Sequence, residues 1–133
     1  MTTATALPSD APRPRLLCVD DDERLLRGLR RMLRKDYELT LSTSGQEALD
    51  LMATESFDLL LTDMRMPGIS GAELCVAACK IAPNTPRVLL TGYADPESIA
   101  LAWGSGGIFR AVDKPCSKEA LLEVLSAAAN SRD

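Results

Sequence analysis

The chain contains no histidine, and its four cysteines, Cys18, Cys75, Cys79 and Cys116, include no pair at the CxxC spacing of a zinc site. They read as reduced, small apolar side chains of a cytoplasmic protein. No apolar run approaches the roughly 18–20 residues that cross a bilayer, so membrane insertion is not expected. Basic charge is not in excess: 15 Lys and Arg face 19 Asp and Glu, a net charge of −4. That balance argues against direct nucleic-acid binding through the overall field. The opening stretch "MTTATALPSDAPRP" has neither the basic start nor the apolar centre of a signal peptide. Its Thr, Ala and Pro content predicts a disordered tail over 1–14.

What remains is 133 residues with 46% apolar side chains and a mean hydropathy of −0.01, enough for one core and one domain, placed at 15–130. From Arg15 onward short apolar runs alternate with longer segments of helical spacing, the pattern of βα units and a parallel sheet. Strands are predicted over 15–19, 37–42, 58–62, 87–91 and 108–112. The first, third and fourth are apolar on both faces, as strands covered by helices on two sides must be.

The helices carry start signals. Ser44 with Glu47 and Ser70 with Glu73 match the capping box; Asp95 before Pro96, and Ser117 after Pro115, read as two further N-caps. Leu25, Leu26, Leu29, Met32 and Leu33 form the apolar stripe of the first helix. Leu74, Val76, Ala77 and Ala78 are assigned to the third, and Leu121, Leu122, Val124 and Leu125 to the fifth. A fourth helix, about 96–103, stops at the glycine-rich "GSGG".

Doubly wound parallel sheets bind ligands beyond the carboxyl ends of their strands. Here those ends carry Asp20-Asp21-Asp22, Thr62-Asp63, Thr91-Gly92 and Lys114-Pro115. Three adjacent carboxylates raise one another's pKa and call for a compensating cation. Acids from two neighbouring strands suit Mg²⁺, which takes one or two carboxylates and keeps a place for phosphate oxygens. A carboxylate beside such an ion can attack phosphorus, while a lysine and a hydroxyl across the pocket hold the transferred oxygens. Pro67-Gly68 after Asp63 suits the centre of a type II turn. Asp22 with Glu23 is read as a helix start, where the dipole favours acids.

Four segments, "CVDDDERLLR", "LLLTDMRMPGISGAEL", "VLLTGYAD" and "AVDKPCSKEAL", resemble in order the signatures of the response-regulator receiver domain of two-component signalling, over roughly 15–128. The resemblance implies an α/β fold of the (βα)5 type: a doubly wound, five-stranded parallel sheet of strand order 2-1-3-4-5, flavodoxin-like. It implies Asp63 as phosphoacceptor, Asp20 and Asp21 as the acidic pair holding Mg²⁺ with Asp63, and the backbone carbonyl of Arg65 as a further ligand. Thr91 and Lys114 become the hydroxyl and the lysine that meet the phosphoryl group, with a cis bond between Lys114 and Pro115. The implied partners are a histidine kinase or histidine phosphotransfer protein and a downstream output domain or protein. The chain would accept a phosphoryl group rather than act as an enzyme in its own right.

Two positions depart from the family pattern. Ala111 stands where an aromatic usually switches rotamer, and Asp113 stands where a threonine usually precedes the lysine; Phe109, Tyr93 and Trp103 are the candidate substitutes. The segment "GGIFRAVDKPC" resembles receivers attached to phosphodiesterase-type or kinase outputs. The first helix carries Arg24, Arg27, Arg30, Arg31, Arg34 and Lys35, either a solvated face or a docking face for an acidic phosphodonor. Two other functions are weighed. A Mg²⁺-dependent aspartyl-phosphate phosphohydrolase would want an acid two residues after the nucleophile, where Arg65 stands. A phosphorylation-independent, pseudo-receiver-like interaction module would be expected to have lost the acid cluster.

Overall fold

The computed structural model describes residues 12–92 and 95–131. The predicted disordered tail falls for the most part, at 1–11, outside the described residues, as does Tyr93. Five strands alternate with five helices: β1 (Arg15–Val19), α1 (Glu23–Leu33), β2 (Glu38–Ser42), α2 (Gly45–Thr54), β3 (Leu59–Asp63), α3 (Gly71–Ile81), β4 (Arg87–Thr91), α4 (Pro96–Trp103), β5 (Arg110–Asp113) and α5 (Lys118–Asn130). All strand pairs are parallel and the sheet order is β2-β1-β3-β4-β5. This is the flavodoxin-like arrangement expected.

The period-2 alternation of strands sorts the apolar residues between two helical layers. Leu16, Cys18, Leu59, Leu61, Val88 and Leu90 pack against α1 and α5. Leu17, Val19 and Leu60 meet α2 and α3, and Leu89 faces α3 and α4. Sheet positions on both faces are thus covered, which is why the strands read as unbroken apolar runs.

On α1 the expected stripe holds, with Leu26, Leu29 and Leu33 buried and Leu25 and Met32 half-buried beside them. On α5 Leu121 and Leu125 are buried as expected, joined by Ala128. On α3 the stripe is shifted: Ala72, Leu74, Cys75 and Ala78 are buried, while Val76 and Ala77 are only half-buried. Small side chains on all sides of that helix hid the true face.

β5 begins at Arg110, not 108, because Ile108 turns into the α3–α4 cluster and Phe109 packs toward α1 and α5. Ser70 and Glu73 close a complete capping box. Ser44 caps α2, but Glu47 returns to the Ser42 hydroxyl at 2.7 Å and the Thr43 amide at 3.2 Å, so that box is half made. Asp95 occupies the N-cap of α4 without a side-chain cap hydrogen bond.

The buried cation at the start of β4 was not singled out by the sequence. Arg87, 6% exposed, donates to the carbonyls of Thr85 (2.7 Å), Gly106 (2.9 Å) and Gly107 (3.0 Å). It ties the α3–β4 loop to the glycine-rich turn after α4 and forms no ion pair among the described residues. Replacing it strands the buried carbonyls of Thr85 and Gly106, each costing about 1–3 kcal/mol, and frees the more exposed one of Gly107. Arg87→Met is therefore expected to lower the unfolding free energy by about 3 kcal/mol or more in urea titration. A loss under about 1 kcal/mol would show that the loops hold without it.

Candidate functional site

Each acid of the site is placed by the end of a strand. Asp20 follows β1 directly; its amide donates to the Ser42 carbonyl at 3.1 Å and its Oδ1 accepts from the Asp22 amide at 2.9 Å. Asp22 faces away from the pocket and caps α1, accepting from the amides of Arg24 and Leu25. The helix-start reading of Asp22 is borne out. Asp63 ends β3, next to Leu90 of β4 in register, and the Thr62 hydroxyl donates to the Asp63 carbonyl at 2.9 Å.

Carboxylate oxygens of Asp20, Asp21 and Asp63 lie within 4.8 Å of one another, with Asp20 buried and Asp21 exposed, and the Asp63 side chain is 11% exposed. Lys114 is the cation among them: its Nζ stands 2.7 Å from Asp63 Oδ1 and 3.7 Å from Asp20 Oδ2. Its amide donates to the Thr91 carbonyl at 2.8 Å, fastening the end of β5 to the end of β4. The Lys114–Pro115 bond is cis, as the resemblance implied.

Burial raises the pKa of Asp20; the Asp22 amide pulls it back, Asp63 raises it again and Lys114 lowers it. Partial burial works against the charge on Lys114, but Asp63 and Asp20 outweigh that and its pKa is raised. Three carboxylates with one ammonium leave the pocket short of positive charge.

Among the described residues, two buried oxygens have no hydrogen-bond partner, Asp20 Oδ2 and Thr91 Oγ1. Such atoms are rare in native proteins and ask for a ligand. The donor set is all oxygen and anionic, which fits a hard divalent cation such as Mg²⁺. Asp20, Asp21, Asp63, Thr91 and Lys114 thus come to one sheet edge, while Arg65 lies exposed in the loop after Asp63.

That loop is shaped by two glycines. Gly68 takes φ +83°, the value a type II turn requires. Gly71 donates to the Met64 carbonyl at 2.8 Å, and its Cα passes so close to Asp63 that a Cβ would lie 2.1 Å from the Asp63 carbonyl oxygen. Sequence reasoning missed Gly71; the only signal was a glycine directly after the Ser70 cap.

Ala111 is half-buried in the α3–α4 cluster with Met64, Ala72, Leu89 and Ala102. Phe109 packs on the opposite, α1–α5 side, and Trp103 is 49% exposed on α4. Neither aromatic shares the cluster that holds Ala111.

The thiols play no part in the pocket. Burial pushes Cys18 and Cys75 up to about 12 and raises Cys116. Only thiolates alkylate, and at about pH 8 a thiol with a pKa near 12 is ionised in roughly one molecule in 10⁴. Under native conditions iodoacetamide is expected to modify the half-buried Cys79 and Cys116, and the buried Cys18 and Cys75 only on unfolding. Peptide mass mapping over time checks the order; early modification of Cys18 would contradict it.

A sequence model of the response regulator receiver domain matches residues 16–126. The hydrogenase transcriptional regulatory protein HoxA of Bradyrhizobium diazoefficiens is 31% identical over 113 residues, 85% of this chain and 23% of HoxA. Among solved structures, the signal receiver domain of an HD domain-containing protein from Pseudomonas fluorescens is similar with a TM-score of 0.85 at 34% identity, covering 89% of this chain and 95% of that one. The response regulator TrrA of Thermotoga maritima, solved in complex with Mg²⁺ and BeF, is similar with a TM-score of 0.79 at 29% identity, covering 86% and 98%. The chain spans 23% of the length of HoxA and 47% of that of the response regulator MprA of Mycobacterium avium.

Proposed function

The chain belongs to the response regulator receiver family, and from that premise we propose that Asp63 accepts a phosphoryl group from the phosphohistidine of a histidine kinase or histidine phosphotransfer protein. A carboxylate oxygen of Asp63 attacks phosphorus, forming an O–P bond as the P–N bond to the donor imidazole breaks. Lys114 orients the nucleophile and neutralises the arriving oxygens. The Thr91 hydroxyl donates to one of them. Asp20, Asp21, Asp63 and the Arg65 carbonyl would hold Mg²⁺. That ion, when bound, supplies charge neutralisation on the phosphoryl oxygens, the main requirement of phosphoryl transfer.

The observation that carries this reading is the pair of orphaned buried oxygens, Asp20 Oδ2 and Thr91 Oγ1, flanking the Asp63–Lys114 contact. One calls for a cation and the other for an acceptor, and a metal-assisted phosphoryl group provides both. Phosphorylation then shifts the surface around α4, β5 and α5, which a downstream output domain or protein reads. To move such an equilibrium from nearly off to nearly on, the phosphorylated site must favour one state by about 5.5 kcal/mol. The setting is cytoplasmic, and the chain works as a phosphoacceptor that assists its own phosphorylation and dephosphorylation, not as an enzyme on a separate substrate.

With Mg²⁺ and acetyl phosphate the wild-type chain should gain one base-labile phosphoryl group, and chelation should prevent it. No incorporation, together with no binding of beryllofluoride, would overturn the assignment. That outcome would favour the phosphorylation-independent interaction module, the reading to which Ala111 lends support.

A further inference from the structure

We propose that a cleft at the opposite edge of the sheet, between the last turn of α1 and the start of β2, binds a phosphorylated small molecule of nucleotide size. The site is independent of the phosphoacceptor reading. Arg15 and Glu38 pair in register at the amino ends of β1 and β2, whereas the acid pocket lies past their carboxyl ends.

The cleft is shallow and open to solvent, about 510 Å³, and is lined by Arg13, Arg30, Arg34, Lys35, Tyr37, Glu38 and Leu39. That volume is in the range of small-molecule sites. Between Glu23 and Asp36 the chain has six basic residues and no acid. Glu38, the acid that lines the cleft, is held by Arg15 at 3.6 Å. The side chains of Arg30, Arg34 and Lys35 make no hydrogen bond or ion pair with any described residue.

Helix termination does not explain this clustering. Cations near a helix carboxyl end are favoured because its last carbonyls lack partners. Here the Leu33 carbonyl already accepts from the amides of Asp36 and Tyr37, both at 3.0 Å. Arg13, from the segment before β1, lays a guanidinium nitrogen on the Arg34 carbonyl. The Leu33 and Arg34 carbonyls at the end of the helix are thereby taken without any side chain of Arg30, Arg34 or Lys35, and like charges gathered on one cleft raise its affinity for an anion.

A ligand with at least two phosphates answers those charges. Guanidinium forks match phosphate oxygens bidentately. The buried Tyr37 and half-buried Leu39 add an apolar wall beside the charges, which suits a nucleoside better than a bare inorganic anion.

Two-dimensional amide NMR of the full chain at about 0.15 M ionic strength, where nonspecific attraction is screened, tests the site with GTP and pyrophosphate as probes. GTP should shift residues 30–39 saturably, and pyrophosphate should do so more weakly. Arg30→Gln combined with Arg34→Gln removes exposed side chains, so folding should be unchanged; GTP binding should weaken by more than about tenfold. Acetyl phosphate labelling of Asp63 should be the same in both proteins, which separates failure here from failure of the phosphoacceptor reading. Absence of saturable shifts, or equal affinity for GTP and inorganic sulfate, would overturn the proposal. So would a short DNA duplex binding more tightly than GTP, which would make the face a nucleic-acid surface.

Discussion

Asp63→Asn is expected to lose phosphorylation by acetyl phosphate entirely, by more than about a thousandfold in rate, while the protein remains folded. The side chain keeps its shape, but a neutral amide oxygen is a poor nucleophile toward phosphorus, and no second carboxylate among the described residues is equivalently placed. Asp20 is buried with Oδ1 committed to the Asp22 amide, and Asp21 is exposed. Stability should move the other way. The substitution removes one of three mutually repelling carboxylates, offsetting the charged Lys114 contact at 2.7 Å. In metal-free buffer the thermal midpoint should stay level or rise, whereas the increase produced by Mg²⁺ should shrink, because ligand stabilisation follows the affinity lost. Phosphate incorporation is read by intact mass, and the midpoints by calorimetry. Unchanged incorporation in the variant would remove Asp63 from the mechanism.

The same electrostatics explain which parts of the site were legible in the sequence. Three adjacent aspartates announce a problem that needs a cation, and strand-helix alternation places them at one edge with Asp63 and Lys114. Distinguishing Asp22 from its neighbours was also possible, since a capping residue and a helix-patterned leucine stripe follow one another directly. Packing was less legible where the side chains were small. On α3, alanines and cysteines at five of its eleven positions leave little apolar contrast, so Cys75 was missed and Val76 assigned to a face it only grazes. The start of β5 was misplaced because Ile108 and Phe109 are apolar for different reasons, one serving each helical layer.

Arg87 shows a different limit. A lone arginine before "VLLT" looks like a strand's polar entrance, and nothing local tells that its acceptors lie in the turn after α4, 19 and 20 residues away. Contacts across loops carry no period. The basic run on α1 was visible as composition, but that Arg30, Arg34 and Lys35 lack partners among the described residues, with the Leu33 and Arg34 carbonyls taken by backbone and Arg13, emerged only from the structure.

Gly71→Ala is expected to be the most destabilising of the glycine-to-alanine changes, and it joins stability to function. An added Cβ would lie 2.1 Å from the Asp63 carbonyl oxygen, 2.9 Å from its carbonyl carbon and 2.9 Å from Leu89 Cδ1. The leucine tip can turn aside; the Asp63 backbone is the last residue of a central strand and cannot move without breaking ladder hydrogen bonds. Overpacking of this kind costs about 1–3 kcal/mol where side chains can yield, and more against rigid backbone. We expect a loss of at least about 3 kcal/mol in urea titration, a large share of the 5–15 kcal/mol that stabilises an ordinary domain. Gly68→Ala is the matched contrast. Nothing lies within 4 Å of its added Cβ, so it should cost only the strain of a positive φ, about 1–2 kcal/mol. Because the atom struck at position 71 belongs to the phosphoacceptor residue, whatever Gly71→Ala protein does fold should carry a displaced Asp63 and label more slowly per folded molecule. Gly68→Ala should label at nearly the wild-type rate. Equal stability of the two variants would show that the α3 entrance can slide away from β3, and that the close approach is not what fixes the position of Asp63.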